Sequence, residues 1–150
     1  MNTIKQLITI TFAIVALSGV STAASGWLNN IDSALAQAKK KKKPVMVEFT
    51  GTKWCPPCIM MEEKVFTKSA FTKAASKNFI LVKVDIPKPG SSGAKKYQDI
   101  MRKYKVAGVP TILLFGEDGR EFSRFDAAEF PSIDRFLAKL DEELEKKEMD

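Results

Sequence analysis

The stretch GTKWCPPCIM, residues 51 to 60, holds the only two cysteines of the chain, and their spacing admits three kinds of chemistry. A zinc clip needs four ligands, drawn mainly from Cys and His. The chain offers two Cys and no His, so a second chain or an unusual carboxylate set would have to complete that site. A structural staple is the second option. A bridge from Cys55 to Cys58 closes a very short loop, and in the entropic account a disulfide stabilises through the length of loop it closes. The third option is a reactive dithiol. If a helix starts here, its unpaired N–H groups and their partial positive charge favour a thiolate at Cys55, which lowers its pKa. Cys58 then lies one turn on, on the same face, close enough to be bridged. Pro57 suits a first helical turn, where its missing N–H is no loss. Together with Pro56 it stiffens the loop. The local physics favours the dithiol.

Such a pair needs a strand to deliver it and a helix to receive it. Val45 to Phe49 reads as a buried strand and Pro57 to about Phe66 as a helix. Ahead of them, Trp27, Leu28, Ile31, Ala34, Leu35 and Ala38 recur at helical spacing, which predicts a helix from Ser25 to about Lys40. Beyond them the pattern predicts a short helix over Ser69 to Lys77 and a second buried strand from Phe79 to Asp85. Pro87 to Gly93 is a loop rich in Pro, Gly and Ser. Ala94 to Lys105 is helical, with Tyr97, Ile100, Met101 and Tyr104 as its inner stripe. Thr111 to Phe115 and Glu121 to Phe125 form a hairpin about Glu117-Asp118-Gly119. Ile133, Phe136, Leu137, Leu140 and Leu144 mark a last helix. Alternating strands and helices closed by a hairpin predict an α/β sandwich, a small mixed sheet covered on both faces.

At 150 residues, 45% hydrophobic and 28% charged, the chain is a globular single domain in composition. Its first residues have another character. Lys5 precedes an apolar stretch from Leu7 to Leu17, and Ser21-Thr22-Ala23-Ala24 supplies small residues, the pattern of a secretory signal over residues 1–23. The apolar core is shorter than the roughly 20 residues of a comfortable membrane span, so an uncleaved anchor is the lesser alternative. Cleavage there leaves residues 24–150 as the domain, with 23 basic against 18 acidic residues, a net charge of +5. A periplasmic or secreted location follows, where disulfides persist and nucleic acid is not an expected partner.

Three segments together resemble the thioredoxin superfamily. VMVEFTGTKWCPPC, residues 45–58, is similar to its strand and active-site segment, VKVDI to its next central strand, and YKVAGVPTILLFGEDGREFSRF, residues 104–125, to its cis-proline and terminal hairpin. The wording around the cysteines and the following MMEEKVF are most similar to exported thioredoxin-like proteins, including the soluble domain of membrane thiol:disulfide interchange proteins. The resemblance implies a thioredoxin fold with a terminal hairpin plus helix, and a thiol–disulfide oxidoreductase. Cys55 would be the nucleophile and Cys58 the resolving thiol. Trp54, Pro56, Pro57, Val109 and a cis Pro110 would line the substrate site. Glu48, odd in a buried strand, stands where thioredoxins carry a proton-accepting Asp. The link Gly51-Thr52-Lys53 is one residue longer than usual, Lys53 is a possible partner for Glu48, and a carboxylate reaching solvent at the sheet rim is the alternative. No metal and no cofactor beyond a redox-active Cys55–Cys58 disulfide is implied. The implied partners are protein disulfides and a membrane thiol:disulfide electron donor, with the chain a monomer. With no His between the cysteines, reduction is favoured over oxidation. A thioredoxin-fold peptide-binding module or chaperone with an incidental dithiol is the contrasting class. The unbroken run Lys39 to Lys43 is either a solvated helix end or a surface for an acidic partner or anionic lipid.

Overall fold

A computed structural model describes residues 26–149, and the secretory pattern lies outside the described residues. Five strands form one sheet in the order β1-β3-β2-β4-β5. These are β1 (Trp27–Leu28), β2 (Val45–Thr50), β3 (Ile80–Asp85), β4 (Thr111–Phe115) and β5 (Glu121–Asp126). The first three are mutually parallel, while β4 runs antiparallel to β2 and β5 antiparallel to β4. The helices are α1 (Ile31–Lys41), α2 (Pro56–Met61), α3 (Ser69–Asn78), α4 (Ala94–Lys103) and α5 (Ile133–Met149), with a π-helical turn at Glu62–Phe66 continuing α2. In that turn the Thr67 N–H and hydroxyl both donate to the Glu62 carbonyl, at 3.1 and 2.7 Å.

Strand alternation divides the core. Val45, Val47 and Phe49 of β2 pack under α1 and α4, among Ala34, Val82 and Leu113. Met46 faces the other way, into a cluster with Phe66, Phe71 and Phe136 contributed by the π-helical turn, α3 and α5. Those three rings meet edge to face at 5.1–5.5 Å between centroids. Truncating Phe136, which is fully buried, should cost about 3–5 kcal/mol. Glu48 and Thr50 alternate with Val47 and Phe49, so both lie on this second face, and both are completely buried.

One element departs from the sequence pattern. The predicted helix from Ser25 begins only at Ile31, and Trp27 and Leu28 pair instead with Leu81 and Val82 of β3. Asn30 sets the boundary: its side chain accepts the Ser33 N–H at 2.7 Å and caps the helix. Trp27, Leu28 and Ile31 are spaced alike for a helical face and for this strand-turn-helix entrance, so periodicity alone did not separate them.

Candidate active site

Strand β2 ends at Thr50, and the chain then crosses Gly51–Trp54 to Cys55, the residue that caps α2. Three contacts shape that crossing. Thr52 donates its N–H and its hydroxyl to the two carboxylate oxygens of Asp85, at 2.9 and 2.5 Å. The Trp54 indole N–H donates to the Ile86 carbonyl at 2.7 Å. The backbone N–H of Cys55 closes back on the Gly51 carbonyl at 3.0 Å. The C-terminal end of β3 therefore holds the loop that presents the cysteines. Gly51 is required by space: a Cβ there would stand 2.7 Å from the Trp54 ring.

Cys55 and Cys58 are joined in a disulfide with their Cα atoms 5.2 Å apart. Cys55 has extended backbone, and its sulfur accepts the Cys58 N–H at 3.3 Å. Pro56 and Pro57 fill the first helical positions, where no intrahelical donor is lost. The helix thus aims its first available N–H at the outer sulfur. Such a hydrogen bond favours the charged form of the group that accepts it. Cys58 is fully buried and Cys55 nearly so, while Pro56 and Pro57 are exposed. Across from the pair the Val109–Pro110 peptide is cis, and the Val109 carbonyl oxygen lies 3.7 Å from the Cys55 sulfur. Trp54, Ile86, Pro87, Met101 and Val109 line an apolar cavity of about 190 Å³ beside it. A larger hollow of about 830 Å³, lined by Trp27, Thr72, Lys73 and Lys83, includes neither cysteine.

Glu48 does not reach solvent at the rim, and its partner is not Lys53. It is fully buried, and the ammonium of Lys83, its cross-strand neighbour on β3, stands 3.7 Å away. Neither carboxyl oxygen of Glu48 makes a hydrogen bond, nor does the Thr50 hydroxyl. Lys83 is held more tightly by Glu62, one turn beyond Cys58, with both oxygens at 2.6–2.7 Å. Burial pushes the Glu48 carboxyl well above the usual carboxylate range; Lys83 opposes this and the Glu62 carboxylate adds to it. Glu62, Lys83 and Asp85 are thus site residues that the sequence pattern did not single out. Lys83 carried a signal, a lone cation inside an apolar strand, but its pairing depends on the β2–β3 register. Lys53 is exposed. Among the described residues no group of three or more His, Cys, Asp or Glu side chains is placed to hold a metal ion.

A family model described as Thioredoxin-like matches residues 26–116. The disulfide bond reductase DsbH of Chlamydia pneumoniae is 31% identical over 94 residues, 61% of this chain and 57% of that protein. The thiol:disulfide interchange protein DsbD of Klebsiella pneumoniae subsp. pneumoniae is 32% identical over 128 residues, 85% of this chain and 19% of that one. The chain therefore spans a little over half of the first relative and about a fifth of the second. Among solved structures, a DsbH oxidoreductase superposes with a TM-score of 0.66 at 25% identity, covering 83% of this chain and 90% of the other.

Proposed function

Because the chain belongs to the Thioredoxin-like family, we propose that it is an exported thiol–disulfide oxidoreductase that reduces or exchanges protein disulfides through Cys55 and Cys58. The observation that carries this reading is the Cys58 N–H directed at the Cys55 sulfur, at the end of a strand whose loop is anchored on two sides. In the reduced protein the Cys55 thiolate attacks one sulfur of a substrate disulfide. A mixed disulfide forms and the other substrate sulfur leaves as a thiolate. Cys58, deprotonated, then attacks the Cys55 sulfur, and the second substrate sulfur leaves. Two electrons have passed to the substrate, and the protein is left in its disulfide form. A dithiol donor returns the electrons, and a membrane thiol:disulfide electron transporter is the donor class that suits an exported protein.

Glu48 is the proton acceptor for Cys58, reached through water. A carboxyl whose pKa is raised by burial holds a proton more readily than an exposed one, which suits it to accept the thiol proton. Trp54, Val109 and Pro110 flank the nucleophile, so an extended substrate segment lies along Val109 as an added strand with an apolar side chain against Trp54. The secretory pattern of residues 1–23 supports export to an oxidising compartment. Reduction of insulin disulfides by dithiothreitol, with and without the protein, tests the activity. Acceleration that vanishes in Cys55→Ala is expected. An unchanged rate in that variant would instead support a peptide-binding module with an incidental dithiol. Equilibration against a glutathione buffer fixes the direction, with a potential on the reducing side expected.

A further inference from the structure

We propose that Lys39–Lys43 form a docking surface for anionic lipid headgroups, which seats the protein on a membrane with its dithiol pointing away. The five lysines close α1 and lead into β2, and Lys39 to Lys42 are all exposed. Several other cations, Lys83, Lys103, Arg124, Lys139 and Lys146 among them, hold carboxylates. Among the described residues none of Lys39–Lys43 makes an ion pair. Lys41 donates to the Gln37 side chain and Lys43 to the Ser76 carbonyl. That second contact brings the C-terminal end of α3 alongside, with exposed Lys73 and Lys77 on either side of Ser76.

Cations in the last turn of a helix complement its dipole, and α1 has Lys39, Lys40 and Lys41 there. Lys42 goes further. It caps the helix in the left-handed region at φ 51°, a conformation that glycine or asparagine adopts more readily. A lysine there keeps charge at a position where backbone geometry favours another residue.

The chemistry of the patch selects the partner. Protein interfaces are depleted of lysine and built around apolar and aromatic anchors, whereas this run has no apolar residue between its charges. Lysine is a flexible, strongly hydrated point charge without the fixed fork of arginine. Contiguous lysines suit a diffuse anionic surface, to which each contributes separately. Placement gives the orientation. The run lies at the start of β2 and the loop to Cys55 leaves its other end, so the six-residue strand, about 20 Å long at about 3.3 Å per residue, stands between them. The dithiol of a docked molecule faces the aqueous side and stays open to protein disulfides.

The test is cosedimentation of the full chain with vesicles of phosphatidylcholine alone or mixed with phosphatidylglycerol. Binding that requires phosphatidylglycerol and is released by salt is expected. Replacing Lys39–Lys43 together by Gln should abolish that component, at about fivefold per lysine, with the fold retained and insulin reduction in solution unchanged. Replacing all five by Arg should preserve it. So should Gln at Lys64, Lys68, Lys95, Lys96 and Lys105, which removes the same net charge from elsewhere. Equal binding by the Lys39–Lys43 Gln variant overturns the proposal, as does equal loss in the control set. Salt-sensitive binding to polyglutamate with no binding to the mixed vesicles assigns the run to an acidic polypeptide and overturns it too.

Discussion

Replacing Glu48 by Gln changes one atom in a fully buried group and should alter both stability and turnover. Lys83, 3.7 Å away, attracts the ionised carboxylate by about 4 kcal/mol at an effective dielectric near 20. Burying a carboxylate costs several kcal/mol even after the surroundings relax. The attraction is also shared, because Lys83 sits closer to Glu62, whose own charge repels Glu48. Burial wins, and Glu48 binds its proton more tightly in the native than in the unfolded state. The stability this contributes is fully present below the ordinary Glu value of about 4.3 and is lost as pH rises through the raised native value. Across that window the wild-type protein should lose up to about 1.4 kcal/mol per pH unit from this group. Glu48→Gln should not. Urea denaturation at half-unit steps from pH 4.5 to 8 reads the difference directly. In single-turnover kinetics, formation of the mixed disulfide at Cys55 should be unchanged in the variant. Its resolution by Cys58 should slow by about tenfold near neutrality, less than the 10²–10⁴ of direct general base work, since the proton moves through water. Parallel pH–stability profiles for the two proteins would refute the burial argument, and equal resolution rates would remove Glu48 from the mechanism.

Three further outcomes follow from the site and its surroundings. Cys58→Ala should accumulate mixed disulfides with substrate on Cys55, visible on non-reducing gels; comparable trapping by Cys55→Ala would reverse the assigned order of attack. Gly51→Ala places a Cβ 2.7 Å from the Trp54 ring, so it should displace the indole from Ile86, shift its fluorescence and destabilise the fold by about 1–3 kcal/mol; an unshifted spectrum would refute the packing argument. Burial raises the Glu143 carboxyl, but hydrogen bonds led by Lys139 and joined by Ser123 and Lys146 more than reverse this and hold it at about 2. A depressed value stabilises above the ordinary carboxyl pKa and is lost as pH falls toward about 2. Glu143→Gln should therefore cost about 1 kcal/mol at pH 7, discounted for partial solvent screening, with the gap to wild type closing in acid. A constant gap would place the effect in packing.

The dithiol was legible because two cysteines three apart, ahead of a helix and behind an apolar run, leave few physical options. The central strands were legible because Val45–Phe49 and Phe79–Asp85 are short, continuous and rich in β-branched residues. What escaped depended on register. Nothing local says that Lys83 lies opposite Glu48, or that Asp85 reaches Thr52; both follow from the parallel pairing of β2 with β3. The strand at Trp27 and Leu28 escaped for a different reason, since two residues are too few to show a period. The π-helical turn at Glu62–Phe66 escaped because its extra residue shifts the apolar stripe by less than the scatter in any helical pattern.

The brevity of β1 has a consequence for solubility. It pairs with β3 only as far as Val82, and beyond that point the edge of the sheet borders a hollow of about 300 Å³ lined by Asn29, Lys83, Val84 and Asp85. An open edge is a template for strands of other chains, and short edge strands and charged side chains are what prevent it from being used. Lys83 and Asp85 put one charge of each sign on that stretch, which no strand among the described residues covers. An apolar replacement of Lys83 would thus act far from redox chemistry as well: it would leave the edge beyond Val82 with Asp85 as its only charge, and the sheet open to growth by intermolecular pairing at high concentration.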